Sequence, residues 1–290
     1  MINLSKYLLE ARSKQDAENI KILNKFLRGK NYDDYVEIID TMLKDPKTRK
    51  LLIDGFGGKY GNIRFKYSVE EIVAKTLTPT QSELDLDKSI KYAVQIPDVC
   101  KNAFEEPVIV NGKPIITFNK KYIIDGHHSW FQIVGMNPNA KMMCFNFNGK
   151  LEPIEMLKAV QGVIAAVKAE NDDRENKLKH SVIGHYNVFE MTKQEIYDYV
   201  KKTISKECRP VLCEYLRVAN DENVAKVISD NYRAAMKNNK PISGAPSRKN
   251  MPQVWDGGTR EDDEESAEPR ETGSAMNKLK DKKVIKTVVQ

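Results

Sequence analysis

The sequence predicts an α+β protein: a small mixed-sheet domain flanked by N-terminal and C-terminal helical regions and closed by a charged, disordered tail. Three observations carry this reading. Apolar residues recur at helical spacing before residue 53 and after residue 151. Between those stretches lie short β-branched runs separated by turn residues. Beyond Pro241 the composition shifts to Pro, Gly, Ser and charge, which cannot bury enough apolar surface to offset the entropy of ordering. The divisions fall at 1–58, 59–150, 151–240 and 241–290.

In chain order, Ile20, Leu23, Phe26 and Leu27 mark a helix that Gly29 ends, and Asn31 with Asp33 and Asp34 begins another. The glycine cluster Gly55 to Gly61 lacks the spacing of a phosphate-cradling GxxxxGK[ST] loop and reads as a linker. Glu71–Leu77 is a strand or the end of a short helix, Thr78–Gln81 a loop, and Leu86–Tyr92 a helix. The runs Pro107–Val110 and Ile115–Phe118, separated by Asn111-Gly112-Lys113, carry a hairpin signal. Tyr122–Ile124 is a third strand, Trp130–Val134 a helix, and Lys141–Phe147 a closing strand. Ile154, Leu157, Val160, Val163 and Val167 form an amphipathic stripe. Thr192-Lys193-Gln194-Glu195 is a capping box, and two further helices are expected near 207–218 and 221–237. The terminal run Lys283–Val289 is apolar enough to dock on a partner or on the body of the protein.

Composition narrows the function classes. No apolar run reaches the roughly 18 residues of a membrane span, and Lys6 and Glu10 interrupt the N-terminus, so a soluble protein of the cytoplasm, or of a compartment filled from it, is expected. Four cysteines without a CxxC pair argue against a disulfide framework or structural zinc. The net charge of +6 belongs wholly to the first 240 residues, because residues 241–290 hold nine basic and nine acidic side chains. Such an excess permits nucleotide or nucleic-acid binding without requiring it.

The chemistry concentrates at Asp125-Gly126-His127-His128-Ser129, directly after a strand and opening a helix. Unpaired amides and the positive end of the helix dipole there suit an anion such as phosphate. Gly126 lets a ligand approach the backbone. Asp125 can bind magnesium or accept a hydroxyl proton, and His127 or His128 can donate to phosphate or act as acid or base. The alternative is structural: Asp125 caps the helix and one histidine packs into the core. His180 and His185, outside any HExxH pattern, read as surface or core residues.

Ile123-Ile124-Asp125-Gly126-His127-His128 resembles the DGHHR motif of the ParB/sulfiredoxin-like fold family, in the branch of free-serine kinases and phage-encoded ParB-like proteins. Pro79-Thr80-Gln81 is similar to the PTQ loop upstream of it, and the resemblance covers about residues 66 to 150. It implies a phosphate or nucleotide held by Gln81, Gly126, His127, His128 and Ser129, a nucleoside triphosphate with magnesium on Asp125, and a catalytic Glu for which Glu83 is the nearest candidate. Ser129 replaces the motif's Arg, leaving Lys88, Lys91 or Lys121 as substitutes for a cationic grip. Sulfiredoxin's nucleophilic Cys is replaced by His127, and the Arg-rich motif of chromosome-partitioning relatives is missing, so neither activity is expected.

The leading expectation is a ParB-like nucleotide- or phosphate-binding protein, with phosphotransferase or nucleotide hydrolase activity catalysed by Asp125, His127, His128 and Glu83. A second is a DNA-binding or nuclease-like protein using Arg209, Arg217, Lys226 and Arg233. A third is a non-catalytic scaffold in a phage virion or replication assembly, whose C-terminal tail recruits a protein partner. The cytoplasm would be the host cell's if the protein is phage-encoded.

Overall fold

The computed structural model describes residues 66–110, 114–157, 160 and 187–247. The expected N-terminal helices, the Gly55–Gly61 linker, Val163 and Val167 of the amphipathic stripe, both His180 and His185, and the tail from 248 lie outside the described residues.

Five strands form one mixed sheet: β1 Lys66–Val73, β2 Thr78–Pro79, β3 Ile115–Phe118, β4 Tyr122–Asp125 and β5 Lys141–Asn148. Their order is β1-β5-β3-β4-β2. β1 runs antiparallel to β5, β3 parallel to β5 and antiparallel to β4, and β2 parallel to β4. A π-helical turn, Asp87–Lys91, continues as α1, Tyr92–Gln95, and α2 is Pro97–Asn102. Then come α3, His127–Met136, α4, Lys193–Thr203, α5, Cys208–Leu216, and α6, Asp221–Asn238.

The mixed α+β character, the three C-terminal helices and the Thr192/Glu195 capping box agree with the sequence reading. Two details differ. Pro107–Val110 and Ile115–Phe118 do not pair as a hairpin; Val108 instead makes a parallel bridge to Met142 of β5. The true hairpin joins β3 to β4 through Asn119 and Lys120, both with positive φ (52° and 56°), the signature of a type I′ turn. Side chains hold that turn in place. Asn146 Oδ1 accepts from the Lys120 amide at 2.8 Å, and Asn119 exchanges bonds with Gly149 at 3.0 and 3.1 Å. Thr78–Pro79, expected in a loop, pairs with Tyr122 and Ile123 instead.

Period-two alternation sorts the sheet residues to two faces. Ile72, Ile115, Ile123, Met142 and Cys144 join a core shared with α3, α4, α5 and α6, so the helices of region 151–240 and the sheet are built around one interior. Ile116, Phe118, Ile124 and Phe147 are buried on the other face. All four cysteines are free thiols, and burial pushes Cys144 up to about 12, far from a reactive thiolate.

Helix α3 lies at the centre of the shared core. Phe131 stacks on Tyr232 of α6, with centroids 4.6 Å apart, and Trp130 Nε1 donates to the Ala74 carbonyl at 2.8 Å. Close approach of α6 explains Gly135 in mid-helix: a Cβ there would lie 2.0 Å from the Tyr232 ring. At a neutral helix position Gly135→Ala would gain about 1 kcal/mol. Here it should instead lose about 1 to 3 kcal/mol by overpacking, read as a fall in the urea unfolding midpoint. A more stable variant would contradict this account of the α3–α6 contact.

Candidate functional site

Parallel strands β2 and β4 end side by side, and each leads toward a helix start. β4 passes into α3 through Gly126, and β2 passes through the loop 80–85 into the π-helical turn. Two segments more than forty residues apart in sequence therefore meet at the carboxyl ends of adjacent parallel strands, the position at which open α/β sheets receive ligands.

Gly126 makes the first corner. Its φ of 92° is left-handed, and a Cβ would lie 2.4 Å from Ile115 Cγ2, so both conformation and space demand glycine. The corner points both histidine rings at the 80–85 loop. The Thr80 amide donates to His127 Nε2 at 3.1 Å, and the Asp85 amide donates to His128 Nε2 at 3.2 Å. A backbone N–H can only donate, so each Nε2 presents a lone pair, and the neutral ring carries its proton on Nδ1. The histidine pair clamps the loop at both ends.

Other groups fix the same loop. Thr80 Oγ1 donates to the Ile123 carbonyl. Gln81 is buried and donates its side-chain amide to the Glu83 carbonyl. Asp85 Oδ1 accepts from the Lys88 amide, capping the next helical turn. Asn187 Oδ1 accepts from the Leu84 amide at 3.1 Å, and its Nδ2 donates to the Ser82 carbonyl at 3.3 Å. Residues 241–247, assigned to the tail from sequence, lie against this loop: Ile242 N–H bonds to Pro79 O, and Ser82 N–H to Pro246 O. Asn239 Nδ2 donates to the carbonyls of Lys75 and Leu77, both at 2.8 Å, and so fastens the approach to β2.

The expected site residues thus occupy one place but divide in role. His127 is 3% exposed and lies in the interior, as the structural alternative required. Gln81 is turned inward, whereas Asp125, Gly126, His128, Ser129 and Glu83 are half-buried at the outer side of the junction. Among the described residues no group of three or more His, Cys, Asp or Glu side chains could hold a metal ion. Of the lysines that could replace the motif's Arg, Lys91 pairs with Asp87 at 3.5 Å and Lys121 lies over the Tyr122 ring. Lys88 is on the wall facing α3, where its carbonyl accepts from Gln132 Nε2. Beside it, Ser89 Oγ and Gln132 Oε1 are buried with no hydrogen-bond partner among the described residues.

Two of the basic residues of the DNA reading have partners within the chain. Arg209 pairs with Asp221 at 2.7 Å, and Arg233 donates to the Met191 carbonyl at 3.1 Å. Among the described residues no helix is long and apolar enough to cross a membrane. No protein family, curated protein or solved structure matches the chain.

Asp85, Asn187 and the 241–247 strap carried no signal in sequence, because their work is done largely with groups far away in the chain; Thr80 stood out only as part of the Pro79-Thr80-Gln81 loop. The clamp predicts that His127→Ala lowers the unfolding free energy by about 2 to 4 kcal/mol, through a cavity and an orphaned Thr80 amide. Denaturant titration measures it. A change within about 0.5 kcal/mol, as at a solvent-facing position, would refute the assignment.

Proposed function

We propose that the chain is a nucleotide- or phosphate-binding protein of the ParB/sulfiredoxin-like type, with phosphate received at the first turn of α3 beside the 80–85 loop. The observation that supports it best is the junction itself, where parallel β2 and β4 deliver a braced loop and a ten-residue helix start to the same edge of the sheet. Backbone amides of the first turn and the Ser129 hydroxyl would meet phosphate oxygens, and His128 would contribute its ring edge. His127 acts as a positioning residue, holding Thr80.

Magnesium would arrive on the nucleotide, since such ions are commonly held by one or two carboxylates together with substrate phosphates. Asp125 is the carboxylate placed to meet it. For phosphotransfer or hydrolysis, Asp125 or Glu83 would orient and deprotonate the attacking hydroxyl or water, and the fixed amides would stabilise developing charge.

A second reading, a non-catalytic scaffold, is favoured by one specific observation: both histidine Nε2 atoms accept loop amides, and Ser129 offers no cationic grip.

Thermal-shift titration with ATP, ADP, CTP and GTP, each with and without magnesium, separates these readings. At a hundredfold excess over Kd, binding contributes about 2.7 kcal/mol, or roughly 5–10 °C in Tm for a domain of this size. Ser129→Asp should abolish the shift by repelling phosphate, while its charge suits the helix start and preserves the fold. No shift with any nucleotide would leave the scaffold reading. An equal shift in the variant would move the ligand elsewhere.

A further inference from the structure

β1 is an edge strand of eight residues, paired along one side with β5. Among the described residues nothing pairs with its other side. The Ala74 amide bonds to Ala140 O, so ladder alternation turns the backbone groups of Val69, Glu71 and Val73 outward. Their side chains share the face opposite α3, and Val69 is 54% exposed. A long edge with an exposed valine is a template for another strand.

The opposite edge of the sheet is different. There β2 has two residues, and the 241–247 strap bonds beside it. The chain therefore leaves the described body next to β2, four strand spacings or about 19 Å from β1.

The chain's own C-terminal run fits the open edge. Val284-Ile285-Lys286-Thr287-Val288-Val289 is β-branched at every position but Lys286. Taken at strand period, Val284, Lys286 and Val288 share one face. On β1 the corresponding trio is Val69, Glu71 and Val73. Laid side by side in either direction, the trios place Lys286 opposite Glu71 with valine pairs on both flanks. Glu70, the neighbouring acid, already pairs with Lys120 at 2.6 Å, which leaves Glu71 as the matching charge. The 36 residues of 248–283 suffice for the span, since a coil of that length covers about 33 Å. Attachment to the same molecule also raises the effective concentration of the run into the millimolar range.

We propose that residues 284–289 add to the outer edge of β1 as a sixth strand, in the same molecule, with Lys286 against Glu71. The terminal run then protects an edge that would otherwise recruit foreign strands.

Hydrogen–deuterium exchange on the full chain and on a chain ending at Lys283 tests this. Deletion should speed exchange of the Val69, Glu71 and Val73 amides at least tenfold and leave Ile72, bonded inward to β5, unchanged. Lys286→Glu, which sets like charge against Glu71, should weaken protection of the same three amides. Identical exchange in the full and shortened chains overturns the proposal. Protection that falls on dilution overturns it too, because it assigns the added strand to a second copy.

Discussion

Two ring nitrogens accepting two backbone amides organise the junction on which this fold turns. His127 and His128 are consecutive at the start of α3, yet they grip residues five apart, Thr80 and Asp85. Consecutive helical side chains diverge by about 100°, so a pair of neighbours can hold both ends of a short loop, which one residue alone cannot do. The loop in turn delivers β2 to β4 on one side and the π-helical turn to α3 on the other. Buried amides must be paired, and histidine provides a neutral acceptor at the end of a compact ring.

The clamp depends on the residue before it. Without a left-handed glycine at 126 the strand could not turn sharply enough to aim both rings, and Ile115 would meet the added Cβ. It depends as well on α6, whose Tyr232 presses against Phe131 and Gly135 and sets the position of α3. Asn187, Asn239 and the strap at 241–247 then brace the loop and its approach from outside. A loop determined from this many directions is the kind of rigid support that a binding site needs, because a misplaced donor loses most of its value. Near the junction, among the described residues, Ser89 Oγ and Gln132 Oε1 are buried without a hydrogen-bond partner, which costs stability there.

Much of this was legible in the sequence, for reasons that differ from element to element. Strand, glycine, helix at 122–136 stood out because β-branched residues, a lone glycine and an apolar helical stripe follow one another there. The Thr192 capping box was read correctly because its chemistry is local, closed within four residues. Pairing was less legible. Asn111-Gly112 looked like a hairpin turn, but the hairpin formed at Asn119-Lys120, where Asn146 from a distant strand supports two left-handed residues. Long-range partners decided that outcome, and a local pattern does not contain them. The same holds for the histidines. Their clustering marked the right place, whereas their role as acceptors depended on amides some forty residues upstream. The strap at 241–247 was grouped with the polar tail by composition, although its contacts are made largely by backbone groups, to which composition is blind.

The central claim concerns where two protons are, so the most direct measurement observes them. Long-range proton–nitrogen correlation spectra of the imidazole rings at neutral pH distinguish the two tautomers. The account predicts that His127 and His128 both carry hydrogen on Nδ1, with Nε2 unprotonated and coupled to the Thr80 and Asp85 amides. A proton on Nε2 of either ring would contradict it, since that nitrogen would then face a donor with a donor.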